Sequence, residues 1–260
     1  MRTIAIVNQK GGSGKTTTAV NLAATLAEAN KKVLLIDLDP QGSASLWYGF
    51  KDKGKGLFDV LTQDTKLEDV IEKTSLRDLH IVSSSPLLAG VEKTLATEVA
   101  AETILKFKIS VMENQWDYLL FDCPPTLGIL SLNALTAAGE VLIPVEAHVM
   151  ALHGLVQLLK TINLVKQKLN PTLKITGILP CRVDFRTKHS QEVLNQLKNR
   201  FNGQICQSII RENIRLAEAP LHLKPITVYD SYCNGTHDYR KLAQEIIGQE
   251  TSVSAASLQL

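Results

Sequence analysis

Short apolar runs, rich in β-branched residues, alternate along this chain with longer segments in which apolar residues recur every three or four positions. The short runs predict strands, and their lack of polar alternation is typical of a parallel sheet covered on both faces. The longer segments predict helices that pack on that sheet. The predicted strands span 3–7, 32–36, 79–82, 118–121, 141–145, 175–179 and 205–209, and the predicted helices span 15–29, 95–113, 128–138, 152–169 and 190–202.

The domain organisation follows from length and pattern. The chain has 260 residues, enough for one large α/β domain, and it shows no internal repeat and no linker. The pattern therefore predicts a single α/β domain over 1–249, built on a mostly parallel, twisted sheet of about seven or eight strands flanked by helices on both faces. Residues 250–260 are rich in Ser and Ala without an apolar face, so we expect a flexible tail there.

Composition narrows the class of protein. No apolar run approaches the ~18–20 residues of a membrane span, and the first apolar stretch runs straight into a polar glycine-rich loop rather than a signal-peptide cleavage site. The four cysteines show no C-x-x-C spacing, which is typical of a reducing compartment. We therefore expect a cytoplasmic protein. Its formal net charge is only +2, so any binding to nucleic acid requires a local basic patch.

A glycine-rich loop directly follows the first predicted strand, where residues 9–17 read QKGGSGKTT and lead into a helix. Such a loop lets backbone N–H groups converge on a phosphate at the helix N-terminus. The lysine before the helix reaches the β- and γ-phosphates, and the following threonine hydroxyl holds Mg²⁺. The motif predicts a P-loop NTPase that binds ATP through Lys10, Gly11, Gly12, Ser13, Gly14, Lys15, Thr16 and Thr17.

The loop departs from the common phosphate-loop pattern because Gln9 replaces the first glycine and Lys10 adds a second lysine. This K-G-G-x-G-K-T form resembles the deviant Walker A family of ATPases, which includes ParA-type partition proteins, MinD-type regulators and the nitrogenase iron protein. The resemblance covers the chain from residue 2 to about 248. It implies that Lys10 acts in trans on the nucleotide of a second copy, so that ATP binding produces a sandwich homodimer.

Two aspartates end the second predicted strand in the sequence D-L-D-P-Q, and the alternation of side chains places Asp37 and Asp39 on the same side of an extended segment. Two carboxylates beside a phosphate loop predict a site for a cation or a water molecule. The stretch resembles the ParA-type motif. That resemblance implies that Asp39 orients the attacking water and that Asp37 belongs to the magnesium shell.

A third acidic position ends the fourth predicted strand, where Asp122 precedes the sequence C-P-P-T-L-G. An apolar strand ending in one aspartate is typical of a Walker B motif, which places a carboxylate near the magnesium-bound water. The metal ligands predicted are thus Thr16, Asp37 and Asp122, partly through water. Lys10, Lys15 and Asp39 are the predicted catalytic residues for in-line attack of water on the γ-phosphate, and the lack of a strong general base predicts slow hydrolysis.

Other members of the deviant Walker A family are less consistent with this chain. A MinD-type protein binds membranes through a basic C-terminal amphipathic helix, whereas residues 250–260 carry no Lys or Arg. We expect no membrane partner, although a MinD-like cell-division regulator stays an alternative. An iron–sulfur role needs a second cysteine at a suitable spacing from Cys123, and no other cysteine lies at such a spacing.

Non-specific double-stranded DNA is the partner that the ParA-type resemblance implies for the ATP-bound dimer. Residues 182–241 contain ten Lys or Arg and six Asp or Glu, so this stretch has a net charge of +4. A patch of this kind is sufficient for salt-dependent phosphate contacts. By the resemblance, the predicted DNA contacts are Arg186 and Arg215, with Arg211, Lys188 and Lys224 as helpers. Arg182 flanks the adenine, contacts DNA or has a structural role.

The sequence thus predicts a cytoplasmic, nucleoid-associated ATPase that segregates plasmid or chromosomal DNA and is released by a ParB-like partner that stimulates hydrolysis. Besides the MinD-like regulator, two further alternatives stay open. The same switch positions a non-DNA cargo, such as a protein microcompartment or a receptor cluster, through an adaptor protein. Alternatively, the chain is a transcriptional regulator, although the first strand begins too early for a preceding helix-turn-helix.

Overall fold

The computed structural model describes residues 1–51, 56–112 and 115–257. Its centre is a seven-stranded sheet with the order β3-β4-β2-β5-β1-β6-β7. All neighbouring strands are parallel except the edge strand β3, which runs antiparallel to β4. The strands are β1 (Arg2–Ile6), β2 (Val33–Asp37), β3 (Ile71–Lys73), β4 (Leu79–Val82), β5 (Tyr118–Asp122), β6 (Glu140–Glu146) and β7 (Lys174–Cys181).

Helices cover both faces of the sheet. On one face α1, α2, α10 and α11 pack into one apolar core, and α3 to α8 contribute to the core on the other face. The helices are α1 (Lys15–Glu28), α2 (Ser43–Trp47), α3 (Leu57–Thr62), α4 (Val91–Thr94), α5 (Ile104–Ser110), α6 (Ile129–Ala137), α7 (Val149–Lys168), α8 (Lys188–Arg200), α9 (Ile214–Glu218), α10 (Ile226–Tyr229) and α11 (Asn234–Ser257). The predicted single-domain, mostly parallel α/β fold is confirmed.

The central strands explain why both faces must be covered. In β1, Ile4 and Ile6 contribute to one core, and Ala5 on the opposite face contributes to the other. Every residue of β2 and β5 is buried. Their register places Asp37 opposite Asp122 at the carboxyl ends of adjacent strands. Two widely separated acidic motifs therefore meet at one edge of the sheet, where ligands gather in folds of this class.

The strand predicted over 205–209 is not formed. Ile205 makes only an isolated bridge to Ile178 in β7, and Arg211 makes one to Val183 just beyond that strand. Between them the backbone N–H groups of Gln207 and Ser208 donate to the two carboxylate oxygens of Glu245 in α11, at 2.8 Å each. This side chain takes the place of strand partners, so the segment runs beside β7 without a regular ladder.

The helix predicted over 95–113 is shorter than its pattern suggests. A 3₁₀ turn at Ala101–Thr103 leads into α5, which ends at Ser110, and residue 113 lies outside the described residues. Ala100 has a φ of 56°, a left-handed conformation that interrupts a continuous helix. The apolar positions before and after this residue therefore belong to separate elements, which a periodic pattern alone does not distinguish.

The predicted boundary at residue 250 falls within α11, which continues to Ser257. Glu250 hydrogen-bonds to the hydroxyl of Tyr118 and forms an ion pair with Lys31 at 3.4 Å, so it packs against the domain. A flexible tail was predicted over 250–260. It stays a prediction for residues 258–260, which lie outside the described residues. Within the described part of the chain, no helix combines the length and the apolar character that crossing a membrane requires.

Candidate phosphate-binding site

The loop between β1 and α1 has the geometry of an anion-binding site. Gly12 and Gly14 have φ values of 75° and 90°, which side-chain-bearing residues rarely adopt. Gly14 is the N-cap of α1 and provides no side-chain acceptor for the first helical N–H groups. The buried Ser13 hydroxyl has no hydrogen-bond partner among the described residues. The helix N-terminus is therefore left with unpaired donors suited to a phosphate.

Lys15 begins α1 and is buried, with 7% of its surface exposed. Burial lowers the pKa of its ammonium group, and the nearby charges of Asp122 and Asp39 act in the opposite direction. The nearest acceptor of the group is the backbone carbonyl of Lys10, at a weak 3.4 Å. A buried cation with one long hydrogen bond fits a site where phosphate oxygens complete its shell.

Lys10 directly precedes the glycines of the loop, and its ammonium group pairs with Glu146 at the end of β6. Its Nζ is 2.8 Å from Glu146 Oε2, and its side chain is 40% exposed. Arg182, which follows β7 with a φ of 53°, donates to the other oxygen of Glu146 at 3.0 Å. The Lys10 hydrogen bond is the main reason why the pKa of Glu146 lies below its ordinary value. One carboxylate thus holds the second lysine and the predicted adenine-side arginine.

Asp37 is fully buried and its carboxylate is already well partnered. Oδ2 accepts hydrogen bonds from the backbone N–H of Ser45 at 2.8 Å and from its hydroxyl at 2.7 Å, and Oδ1 accepts from the N–H of Asp39 at 3.2 Å. Burial nevertheless raises the pKa of Asp37 to about 6. Asp39 is 9% exposed and accepts from the N–H of Gln41 at 3.0 Å, so its carboxylate orders the turn that follows β2.

Asp122 differs from Asp37 because neither of its carboxylate oxygens has a hydrogen-bond partner among the described residues, although both are buried. Burial raises its pKa well above the ordinary value and the charge of Asp37 adds to this, whereas the Thr16 hydroxyl and Lys15 oppose it. An orphaned pair of hard oxygen donors next to a threonine hydroxyl fits Mg²⁺, which is commonly bound by one or two carboxylates together with substrate phosphates.

A pocket of about 860 Å³ lies at the phosphate loop. Gly11, Gly12, Gly14, Lys15, Thr16, Thr17 and Asp39 form its phosphate-side wall. The other wall carries groups that the sequence alone did not single out, among them Cys181, Ile210, Leu216 and Tyr239. Tyr239 is buried and its hydroxyl lies 3.3 Å from that of Thr18, so α11 packs against α1, the helix that follows the phosphate loop. Arg182 belongs to the same wall.

The predicted DNA contacts separate into two groups. Arg186 and Arg215 are exposed and bind their own neighbours, Asp184 at 2.8 Å and Glu218 at 2.9 Å. Lys188 and Lys224 are exposed as well. In contrast, Arg211 makes a two-pronged contact with the buried carboxylate of Asp238, at 2.6 Å to 3.1 Å, so its guanidinium is committed to tying the 211 segment to α11.

Glu146 and Ser45 are further members of the site that the sequence prediction missed. Glu146 ends β6. The only signal in the sequence that could have identified it is its position, because ligands gather at the carboxyl ends of parallel strands. Ser45 lies eight residues beyond its carboxylate partner, and no motif marks it. Its contact with Asp37 depends on how α2 turns back over β2.

Comparison with known proteins agrees with this geometry. The family described as an AAA domain matches residues 1–175. The chain is 42% identical over 245 residues to the sporulation initiation inhibitor protein Soj of Bacillus subtilis, covering 94% of this chain and 97% of that protein. It is 42% identical over 255 residues to the chromosome partitioning protein ParA of Myxococcus xanthus, covering 97% and 90%.

A solved structure of the Mycobacterium smegmatis protein described as cobyrinic acid a,c-diamide synthase, with a bound ATP analogue and magnesium, is also similar. It matches with a TM-score of 0.86 at 33% identity, over 97% of this chain and 96% of that chain. The predicted family, the ATPase activity and the cofactors are thereby confirmed. The chain belongs to the Soj/ParA family of P-loop ATPases and is an ATPase that uses ATP and Mg²⁺.

Proposed function

We propose that this protein is a partition ATPase whose ATP-bound form is a sandwich dimer that binds DNA without sequence preference. Slow hydrolysis, stimulated by a ParB-like partner, dissolves the dimer and releases the DNA, so that a plasmid or chromosome is segregated. The proposal places the protein in the cytoplasm, associated with the nucleoid. It is supported by the similarity to Soj and ParA and by the two lysines of the phosphate loop.

The observation that carries the proposal is the different placement of these two lysines. Lys15 is buried at its own loop, whereas the side chain of Lys10 is 40% exposed and paired with Glu146. A triphosphate carries more negative charge than one lysine offsets, and a second copy facing this one would receive the exposed ammonium group. ATP then favours the dimer because its phosphates complete the contacts of both lysines, and loss of the γ-phosphate removes that preference.

The site residues divide the chemistry of hydrolysis among them. The loop N–H groups and Lys15 hold the phosphates, and Thr16, Asp37 and Asp122 would hold Mg²⁺, partly through water. The ion would neutralise charge on the phosphate oxygens. Asp37, with its oxygens partnered by Ser45 and Asp39, orders the turn beside them. Asp39 orients the attacking water. Because the proposed mechanism includes no strong general base to take the proton of that water, hydrolysis is slow.

DNA binding in this proposal uses exposed basic side chains near the pocket mouth. Arg186, Arg215, Lys188 and Lys224 are all exposed, and Arg186 also lines the pocket. The side chains of Arg186 and Arg215 are 87% and 50% exposed, so their ion pairs are weak and a DNA phosphate can replace the acidic partners. Arg211 is assigned instead to holding the pocket wall through Asp238.

The experiment compares Arg215→Glu with Arg77→Glu. Both substitutions reverse one exposed arginine, but Arg77 precedes β4 at the opposite edge of the sheet and is 90% exposed. We expect Arg215→Glu to weaken ATP-dependent binding to duplex DNA at least about tenfold and to leave ATP-dependent dimerisation unchanged. Binding is measured by fluorescence anisotropy at several salt concentrations, and dimerisation by light scattering.

If Arg215→Glu and Arg77→Glu bind DNA with equal affinity, the proposed role of the basic patch in DNA binding is wrong. A protein that binds ATP but stays monomeric would contradict the sandwich dimer. The nature of the cargo is tested separately, by measuring ATP hydrolysis with duplex DNA and with the protein encoded by the neighbouring gene. Stimulation by a DNA-specific partner supports partition of DNA, and stimulation by an adaptor of a protein assembly supports positioning of that assembly instead.

A further inference from the structure

Ser84 lies in the segment that follows β4, outside every motif that the function draws on, yet it hydrogen-bonds to Asp39 and, through Ser45, is linked to Asp37. It is 6% exposed. Its backbone N–H donates to the Ser45 hydroxyl at 2.9 Å, and its own hydroxyl donates to the backbone carbonyl of Asp39. The Ser45 hydroxyl in turn donates its one hydrogen bond to Asp37 Oδ2 at 2.7 Å. One serine therefore anchors Asp39 directly and Asp37 through a neighbour.

The direction of these hydrogen bonds is fixed by chemistry. A backbone N–H can only donate and a carbonyl can only accept, so each hydroxyl has one remaining role. The chain of donors ends at the carboxylate of Asp37, and successive bonds polarise one another in a buried environment. All four residues of the chain, Asp37, Asp39, Ser45 and Ser84, are buried. Removing one member leaves a buried polar group without its partner.

The turn itself explains why an anchor is needed. The Asp39 carbonyl also accepts from the N–H of Gly42 at 2.8 Å, a local bond that shapes the turn but does not attach it to the sheet. β4 pairs with β2 in a parallel ladder, so the residues that follow it lie beside the D-x-D turn. Ser84 is thus the point where the turn is bonded to the neighbouring strand connection.

We propose that Ser84 is a positioning residue for ATP hydrolysis, which holds Asp39 in the orientation needed to direct the attacking water. Ser45 connects the same anchor to Asp37. The inference rests on the proposed role of Asp39 and deepens it. Because a small displacement of a water-orienting group lowers the rate steeply, the anchor affects turnover far more than nucleotide binding, which depends on the phosphate loop.

The test compares Ser84→Ala with Ser83→Ala. The adjacent Ser83 hydroxyl donates to Glu72 on the edge strand at 2.7 Å and takes no part in the network, so it is a matched control. We expect Ser84→Ala to lower the single-turnover hydrolysis rate about tenfold while ATP affinity stays within about twofold. Ser84→Thr keeps the hydroxyl and restores the rate, and Ser83→Ala hydrolyses like the original protein.

A double variant that combines Ser84→Ala with Asp39→Ala tests whether Ser84 acts on hydrolysis through Asp39. If Ser84 acts through Asp39, Ser84→Ala slows the protein no further once Asp39 is replaced by Ala. Additional slowing in that background would overturn the proposal, as would a Ser84→Ala rate within about twofold of the original. Should Ser84→Ala fail to fold, Ser84→Cys offers a weaker donor of similar size, and the same reduction in rate is expected.

The two proposals fail in different ways. If Asp39→Ala hydrolyses ATP at the original rate, the water-orienting role of Asp39 is wrong and the positioning role falls with it. If Asp39→Ala loses hydrolysis and Ser84→Ala does not, only the positioning proposal is wrong. DNA binding and dimerisation, measured on the same preparations, report on the partition function independently of both results.

Discussion

Charged side chains lie at both edges of the same parallel sheet, and the two sets differ in how completely they are partnered. At the amino edge, Arg2 donates to both oxygens of Glu140 at 2.8 Å and 2.6 Å, and Thr176 donates to the second oxygen at 2.8 Å. Arg2 also donates to the backbone carbonyl of Ile246 in α11. Burial acts to raise the pKa of Glu140, but these contacts outweigh it and the pKa lies below its ordinary value.

At the carboxyl edge Asp37 is partnered by Ser45 and Asp39, but two other buried charges, Asp122 and Lys15, lack such partners. Both oxygens of Asp122 are orphaned, its pKa is raised chiefly by burial, and burial lowers the pKa of Lys15. The difference indicates that the amino edge is complete in the free chain, whereas the carboxyl edge is complete only with phosphate and Mg²⁺ present. Buried charges without partners oppose folding, so a site of this kind is retained for its ligand rather than for stability.

The largest expected effect is at the carboxyl edge. Lys15→Ala should weaken ATP binding more than about 100-fold, because the ammonium group that meets the phosphates is removed. The unfolding free energy of the nucleotide-free protein should not fall, since a buried cation without a full partner disappears. Calorimetric titration and urea denaturation measure the two quantities, and Lys32→Ala, an exposed lysine at the amino edge, is the control. Retained ATP affinity would show that the phosphate-loop assignment is wrong.

A smaller effect of the opposite kind is expected at the amino edge. Arg2→Met should lower the unfolding free energy by about 2–3 kcal/mol, because Glu140 keeps its partly buried charge without the bidentate partner. ATP affinity should be unchanged. Arg77→Met, which alters an exposed arginine, should change stability by no more than about 0.5 kcal/mol. A variant that folds as stably as the original protein but binds ATP weakly would contradict the division between the two edges.

The smallest effect concerns pH. The folded-state pKa of Glu140 lies below the ordinary value, so its carboxylate contributes stability above that value and loses the contribution as the pH falls through the folded pKa. Glu140→Gln should therefore lower the unfolding free energy by about 1 kcal/mol at pH 7. The difference between the two proteins should shrink below about pH 4.5, where the ordinary Glu pKa lies. Urea denaturation at several pH values measures this difference in unfolding free energy. A difference that grows as the pH falls would contradict the lowered pKa of Glu140.

Local sequence was sufficient for the phosphate loop and for most of the sheet. A positive φ strongly favours glycine, as at Gly12 and Gly14, so the loop can be predicted from the sequence without tertiary context. Buried parallel strands are apolar on both faces, and for that reason β1, β2 and β5 were predicted within one or two residues. The roles of the individual site residues stay predictions until the variants are measured.

Pattern was insufficient where a distant side chain supplies the backbone partners. Glu245 satisfies two N–H groups in the stretch that was predicted as a strand, and Ala100 interrupts the stretch that was predicted as one helix. Both regions have periodic apolar residues, so hydrophobic spacing could not reveal the difference. The same reason conceals Ser84, whose importance lies in contacts with a turn 45 residues away in the chain.

The sequence by itself determined the chemistry of this protein: a curled loop with two lysines, three aspartates that end apolar strands, and the family to which they belong. These features are local, because they depend on residue type and on spacing along a few positions. Only the tertiary structure decided which carboxylate is left without partners, that Lys10 rests on Glu146, and that Arg211 is held by Asp238. Those properties arise when strands remote in the chain align. Burial then makes a missing hydrogen bond costly in free energy, because water cannot replace the absent partner.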